Sequence, residues 1–180
     1  FEQMFRNSLV KWDMQYLPKI RRNTDPSILE WVKINRFPIN KPYVIIFPDV
    51  TGMSIHKPKC LNWSTAQVKA LGAILSQQGI SLLVFSNSPG KYYDTFTKVG
   101  PFNLQFMLYF INSATAILSQ EIDFLLLGLL NSEALLVTEC NKNELNIGKN
   151  AQFVGIEPRV FNQIDLTPNL VANEVRQYVG

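Results

Sequence analysis

The sequence predicts a doubly wound α/β fold, in which helices cover both faces of a parallel β-sheet. Short, continuous apolar runs such as Tyr43–Phe47 and Ser81–Phe85 are typical of strands that are buried on both faces. Between these runs lie segments with helical spacing, and one of them begins at a capping residue, Ser64, and ends at Gly79. Strands that alternate with helices favour parallel pairing. The 180 residues are enough for one such domain.

Residues 1–42 are interpreted as a helical lead-in and linker ahead of the sheet. Apolar residues recur near helical spacing until Pro18 interrupts the first run. Asp25 followed by Pro26 predicts an N-cap with proline at the first helical position, which opens a helix over Ser27–Asn35.

The lead-in also carries the excess positive charge of the chain. It holds eight basic and four acidic side chains, whereas the net charge of the whole chain is only +3. Two interpretations of Lys19, Arg21 and Arg22 stay open: a solvated face, or contact with an anionic membrane surface or substrate. The chain begins at Phe1, and we expect it to be part of a longer protein.

Residues 43–180 are predicted to form the main domain, with strands and helices in alternation. Strands are predicted at Tyr43–Phe47, Ser81–Phe85, Tyr92–Val99, Ala114–Leu118, Ala134–Val137 and Gln152–Val154. Helices are predicted from Ser64 to Gly79, over Phe102–Ile111, from Ser119 to Leu130, and from the Thr167 cap to Tyr178.

Composition excludes several kinds of site. One histidine cannot form a His-rich metal site, and two distant cysteines form neither a zinc cluster nor a disulfide framework. The small net charge does not indicate nucleic-acid binding. Apolar runs are too short or too interrupted for a transmembrane helix, and two unpaired cysteines favour the cytoplasm.

Ligands of doubly wound sheets bind beyond the carboxyl ends of the strands, so the segments that follow the strands are the candidate site. The segment after the first strand offers hydroxyls, a glycine and lysines that can hold a phosphate, although a solvated loop is an equal alternative. Ser119 opens a predicted helix whose N-terminus can bind an anion. The candidate segments are Asp49–Gly52, Ser86–Gly90, Ser119–Asp123 and Thr138–Asn141, with Lys57 and Lys59 further along the first loop.

Other reactive or aromatic residues have simpler interpretations. His56 is more consistent with a bystander than with a general base, since no second histidine or Ser/His/Asp set accompanies it. Cys60 and Cys140 are expected to be ordinary thiols. The aromatic residues Trp63, Tyr92 and Tyr93 are expected to pack rather than to stack on a base.

The order of these features resembles the donor-binding, C-terminal half of GT-B glycosyltransferases, and within them the lipopolysaccharide heptosyltransferase-like group. The similarity spans roughly residues 43–178. It is carried by the strand and loop YVIIFPDVTG, by HKPKCLNWSTAQVKALGAILSQQGISLLVFS, by LQFMLYFINSATAILSQEIDFLLLGLLNSEALLV and by the closing IDLTPNLVANEVRQYV. Where the family carries a histidine around its helix start, this chain has Ser-Gln-Glu-Ile-Asp from Ser119.

The resemblance implies a Rossmann-like domain that binds a nucleotide-diphosphate sugar as donor substrate, with no metal or other cofactor. An acceptor-binding domain outside these residues would be its partner and would supply the catalytic base. The residues implied at the donor phosphates are Thr51, Gly52, Lys57, Lys59, Ser119 and Gln120, and those implied near the nucleoside or sugar are Ser86, Ser88 and Glu121.

Two alternatives belong to other functional classes. The first is a degenerate, non-catalytic module of the same fold that binds a partner, which the absent histidine and the apolar segment Phe124–Leu130 favour. The second is a small signalling domain of the response-regulator type. It ranks lower because Asp49 stands alone after the first strand, without the acidic cluster that a phosphoacceptor site needs.

Overall fold

The computed structural model describes residues 25–49, 63–119, 134–138, 160–162 and 165–180. The strands of this part of the chain are β1 (Tyr43–Ile46), β2 (Ser81–Val84), β3 (Thr97–Val99), β4 (Ala116–Leu118), β5 (Leu135–Thr138) and β6 (Val160–Asn162). They form one sheet in the order β3-β2-β1-β4-β5-β6, and every neighbouring pair is parallel.

This strand order confirms the predicted doubly wound sheet. The chain first builds outward from β1 through β2 to β3, then returns to the other side of β1 and continues through β4, β5 and β6. The junction between β1 and β4 is therefore the point at which the strand order reverses. In open α/β sheets a crevice forms at the carboxyl ends of the strands on either side of this point.

Helices cover both faces of the sheet. Alternate residues of each strand point to opposite sides, so continuous apolar strands have apolar side chains on both faces, and helices bury them. The described helices are α1 (Pro26–Ile34), α2 (Thr65–Gln77), α3 (Leu104–Ile111) and α4 (Pro168–Val179). On one face, Tyr43 and Ile45 pack with α1 and α3. On the other face, Val44 and Ile46 pack with α2 and α4. The side chains of β1 are thus buried on both sides.

Local capping signals define where the helices begin. Ser64 and Gln67 form the predicted capping box, in which the Ser64 hydroxyl accepts from the Gln67 N–H and the Gln67 carboxamide accepts from the Ser64 N–H. Asp25 and Thr167 cap α1 and α4, each followed by proline at the first helical position. Gly79 ends α2 with φ +75, a left-handed conformation that glycine adopts without strain.

The structure corrects the prediction for the third strand. The predicted strand Tyr92–Val99 is only Thr97–Val99, because the residues before it form a turn after the short 3₁₀ helix Pro89–Lys91. The Tyr92 carbonyl accepts the Thr97 hydroxyl there and is not part of a strand ladder.

At the carboxyl-terminal end of the chain, β6 at Val160–Asn162 was not predicted. The predicted strand Gln152–Val154 and the predicted helix from Ser119 to Leu130 lie outside the described residues, apart from Ser119.

The segment from 25 to 42, assigned to the lead-in, packs against the sheet. Ile28 of α1 and Phe37 are buried in the same core cluster as Tyr43 and Ile45 of β1. Within the described part of the chain, no helix combines the length and the apolar character that a bilayer-spanning segment requires.

Candidate functional site

The carboxyl edge of the sheet brings together the first residues after β1, β2, β3 and β4. Backbone hydrogen bonds extend the ladders past the strand ends: the Phe85 N–H donates to the Ile46 carbonyl, and the Gly100 N–H donates to the Val84 carbonyl, both at 3.0 Å. The Phe47 N–H donates to the Leu118 carbonyl at the same distance. The segments that begin at these residues therefore start level with one another.

An aromatic cleft lies at this edge, over the ends of β2 and β3. It has a volume of about 350 Å³, within the range of small-molecule pockets. Three aromatic side chains line it, namely Trp31, Tyr93 and Phe102. Its remaining walls are formed by Ser86 and Asn87 after β2, by Pro89, and by Val99, Gly100 and Pro101 at the end of β3.

A polar clasp of three residues, Asp49, Ser86 and Asn87, joins the segments after β1 and β2 beside the cleft. The Ser86 hydroxyl donates to Asp49 Oδ2 at 2.8 Å, and the Asn87 backbone N–H donates to Asp49 Oδ1 at 3.3 Å. The Ser86 hydroxyl oxygen in turn accepts from the Ser88 N–H at 2.8 Å. One carboxylate thus fixes the first turn after β2.

The part of the cleft wall at Tyr93 is also held by specific contacts. Tyr93 is 66% exposed. The preceding residue, Tyr92, is buried in the core cluster between the sheet and helices α2 and α4, and its carbonyl accepts a hydrogen bond from the Thr97 hydroxyl. The next residue, Asp94, accepts from the Phe96 N–H and lies 3.9 Å from the Lys69 ammonium of α2. The exposed Tyr93 ring is therefore attached to an anchored turn.

Trp31 reaches the cleft from the helix that precedes the first strand. Its indole packs edge-on against Phe106 and Phe110 of α3, with ring centroids 5.2 and 5.6 Å apart. Such edge-to-face pairs fix a ring in orientation as well as in position. The Trp31 side of the cleft is therefore continuous with the core on that face of the sheet.

Of the predicted site residues, Ser86, Ser88 and Ser119 lie in the described part of the chain. Ser86 and Ser88 lie after β2, and Ser86 is 1% exposed. Ser119 is buried directly after β4, next to the point at which the strand order reverses, and its N–H donates to the Val137 carbonyl. The other predicted residues lie outside the described residues: Thr51, Gly52, Lys57, Lys59, Gln120 and Glu121.

Three cleft residues did not follow from the sequence. Trp63 and Tyr92 are buried, as expected, but Tyr93 is exposed at the cleft and does not pack in the core. From the sequence, Trp31 is only one residue of the helix predicted over Ser27–Asn35, and Phe102 only the first residue of the helix predicted over Phe102–Ile111. No pattern in the sequence marks any of the three, because their approach depends on how α1 and two separate loops meet in the fold. Asn87 lies inside the predicted segment Ser86–Gly90.

Comparison with known proteins finds a similar structure but no similar sequence. No protein-family model matches the chain, and no curated protein sequence matches it. The structure of ADP-heptose LPS heptosyltransferase II from E. coli is similar, with a TM-score of 0.58 and 11% sequence identity. The match covers 87% of this chain and 52% of the heptosyltransferase, so this chain spans about half of that protein. The likeness shows that the chain has a Rossmann-like α/β fold that is similar to part of that heptosyltransferase structure.

Proposed function

We propose that this chain is the donor-binding domain of a glycosyltransferase and that it binds a nucleoside-diphosphate sugar. The observation that carries the proposal is the aromatic cleft at the carboxyl edge of the sheet, on the β2 side of the point where the strand order reverses. Aromatic walls with a few hydrogen-bonding groups suit a nucleobase, which is planar and polar at its edges. The fold likeness to a protein whose name includes ADP-heptose supports the same interpretation.

In this proposal the base occupies the cleft and the diphosphate extends toward the carboxyl end of β4. Lysine charge, backbone N–H groups and the N-terminus of the helix predicted after Ser119 then hold the phosphates. The residues proposed at the phosphates are Thr51, Gly52, Lys57, Lys59, Ser119 and Gln120. Those proposed at the ribose or sugar are Ser88 and Glu121, while the buried Ser86 holds the turn that carries Ser88.

The same groups have a role in the chemistry of glycosyl transfer. When the bond between the sugar carbon and the diphosphate oxygen breaks, negative charge develops on the leaving oxygen. Fixed ammonium groups and helix N–H dipoles stabilise that charge in the transition state. The acceptor and the base that activates it are proposed to come from a second domain outside these 180 residues.

Calorimetric titration of the full chain with ADP, UDP, GDP and CDP tests the proposal. We expect at least one diphosphate to bind, and Lys57→Ala or Lys59→Ala to weaken it about tenfold or more, because each removes a charge-assisted contact. Lys41→Ala is the matched control, since the exposed Lys41 lies just before the amino end of β1, at the opposite edge of the sheet.

Titration with the corresponding nucleosides distinguishes binding of the base in the cleft from binding of the phosphates. Because they lack phosphate, their binding should be unaffected by both lysine substitutions. Absence of heat with all four diphosphates would overturn the proposal and would favour the alternative of a non-catalytic interaction module.

A further inference from the structure

We propose that Asn87 is the specificity-determining residue of the aromatic cleft and that Asp49 is the positioning residue that presents it. This inference rests on the proposed function, and it concerns which edge of a bound planar ring the protein recognises. It follows from the hydrogen bonds of the polar clasp, which leave the Asn87 carboxamide available to a ligand.

The clasp uses both oxygens of the Asp49 carboxylate. Oδ2 accepts the Ser86 hydroxyl at 2.8 Å and Oδ1 accepts the Asn87 backbone N–H at 3.3 Å. A hydroxyl has only one hydrogen to donate, so Ser86 has none left for a ligand. Ser86 is also 1% exposed and accepts from the Ser88 N–H. Its role is to hold the turn.

Asn87 differs from Ser86 in each of these respects. It is exposed, it lines the cleft, and only its backbone N–H is engaged by Asp49. Within the described residues its carboxamide makes no hydrogen bond. A carboxamide carries both a donor and an acceptor, so it can pair with a planar ring that presents the complementary pair along one edge. Its backbone is fixed by Asp49, which reduces the entropy lost when it binds.

The charge at the cleft sets the orientation of the ligand. No Asp, Glu, Lys, Arg or His is among the described residues that line the cleft, and the Asp49 side chain accepts a hydrogen bond from the backbone of Asn87 in its wall. A phosphate placed here would meet a like charge, and no lysine or arginine is among the described residues that line the cleft, so this placement is unfavourable. The cleft therefore accepts the uncharged, aromatic end of a nucleotide and directs the phosphates away from β2, toward the junction between β1 and β4 at which the strand order reverses.

The first test compares Asn87→Asp and Asn87→Ala with the wild-type chain by calorimetry against ADP, GDP, CDP and UDP. Asn87→Asp replaces the amide donor with an acceptor, so it should weaken the preferred nucleotide about tenfold. It should also move the ranking toward bases that present donors at the edge, such as guanine. Asn40→Asp is the matched control, because Asn40 is exposed before β1 and undergoes the same change in charge.

The second test separates positioning from stability. Asp49→Ala should reduce discrimination among the four nucleotides as Asn87→Ala does, and the double variant should be no worse than either single variant. Asp49→Asn retains one carbonyl acceptor and should restore part of the discrimination. A purely structural role of Asp49 would lower the melting temperature and leave the nucleotide ranking unchanged, which would overturn the inference.

The outcomes for the two proposals are distinguishable. A wild-type chain that binds none of the four nucleotides overturns both. A wild-type chain that binds a nucleotide, together with Asn87 variants that keep the wild-type ranking, overturns this inference and leaves the proposed function standing.

Discussion

At the scale of single residues, Gly100 in the cleft wall has no room for a side chain. A Cβ atom at this position would lie 2.5 Å from Cε1 of Phe85. Phe85 is fully buried and stacks on Phe47, with ring centroids 5.6 Å apart, so its ring has little freedom to move. The absence of a side chain at residue 100 is therefore what allows Phe85 to fill the core beneath the cleft.

We expect Gly100→Ala to destabilise the fold by about 1–3 kcal/mol, the usual cost of inserting a methyl group into a packed region. Urea unfolding, followed by tryptophan fluorescence, measures the change. Gly90→Ala is the control, because a Cβ atom there meets no other atom within 4 Å. Equal stabilities of the two variants would show that the Phe85 ring can move aside.

Residue roles at the site were only partly predictable for a related reason. The sequence placed Ser86 and Ser88 in a segment after a strand, and the structure has them at the carboxyl edge. It did not indicate that Ser86 would donate to Asp49, since the two residues are 37 positions apart and meet only when β1 and β2 pair. The engagement of a hydroxyl is a tertiary property that a single-sequence pattern does not contain.

At the scale of elements, local signals predicted best. Each cap depends on residues within three positions of one another, so Asp25, Ser64 and Thr167 were recognisable from the sequence and are confirmed. Three-residue strands such as β3 and β6 have too few residues to show a period. Their existence is fixed by pairing with β2 and β5, and this explains the overlong prediction at Tyr92–Val99 and the missed strand at Val160–Asn162.

The cap of α1 gives a prediction about pH. Hydrogen bonds from the Ser27 hydroxyl and then from its backbone N–H lower the pKa of the Asp25 carboxyl. The pKa of Asp25 is lower in the folded chain than in the unfolded chain. The ionised cap therefore contributes its full stabilisation at pH values above the pKa of the unfolded chain. That stabilisation is lost as the pH falls through the folded pKa, below about pH 4.

We expect the Ser27 amide resonance to shift in this acid range with a midpoint below that of an unstructured aspartate. NMR titration of the wild-type chain measures that midpoint. Asp25→Asn keeps a capping oxygen and has no charge to lose, so its Ser27 resonance should stay constant. A midpoint at or above the ordinary aspartate value in the wild-type chain would contradict the prediction.

At the scale of the whole molecule, the two faces of the sheet have different compositions. The face toward α1 and α3 is rich in aromatic rings, including Phe37, Phe106 and Phe110, whereas the face toward α2 and α4 is largely aliphatic. The aromatic face continues into the cleft through Trp31. The cleft is thus an extension of the core on the α1 and α3 face of the sheet, and helix α1 contributes to the cleft and to that core.

This continuity predicts that Trp31→Ala will affect stability and ligand binding together. Trp31 is half-buried, so we expect a loss near the lower end of the ~3–5 kcal/mol that truncating a buried aromatic residue costs. Nucleotide affinity should fall in parallel because one wall of the cleft is removed. Trp31→Phe keeps a ring and should recover most of the stability, but less of the affinity, because its smaller ring covers less of the cleft.

Ile34→Ala on the same helix is the control for these measurements. Ile34 is 70% exposed, and neither the cleft nor a core cluster includes it, so both urea unfolding and calorimetry should give near wild-type values. If Trp31→Ala lowered stability and left nucleotide affinity unchanged, the helix would only support the core. If affinity fell as expected, the ligand site would depend on a helix that precedes the first strand of the sheet.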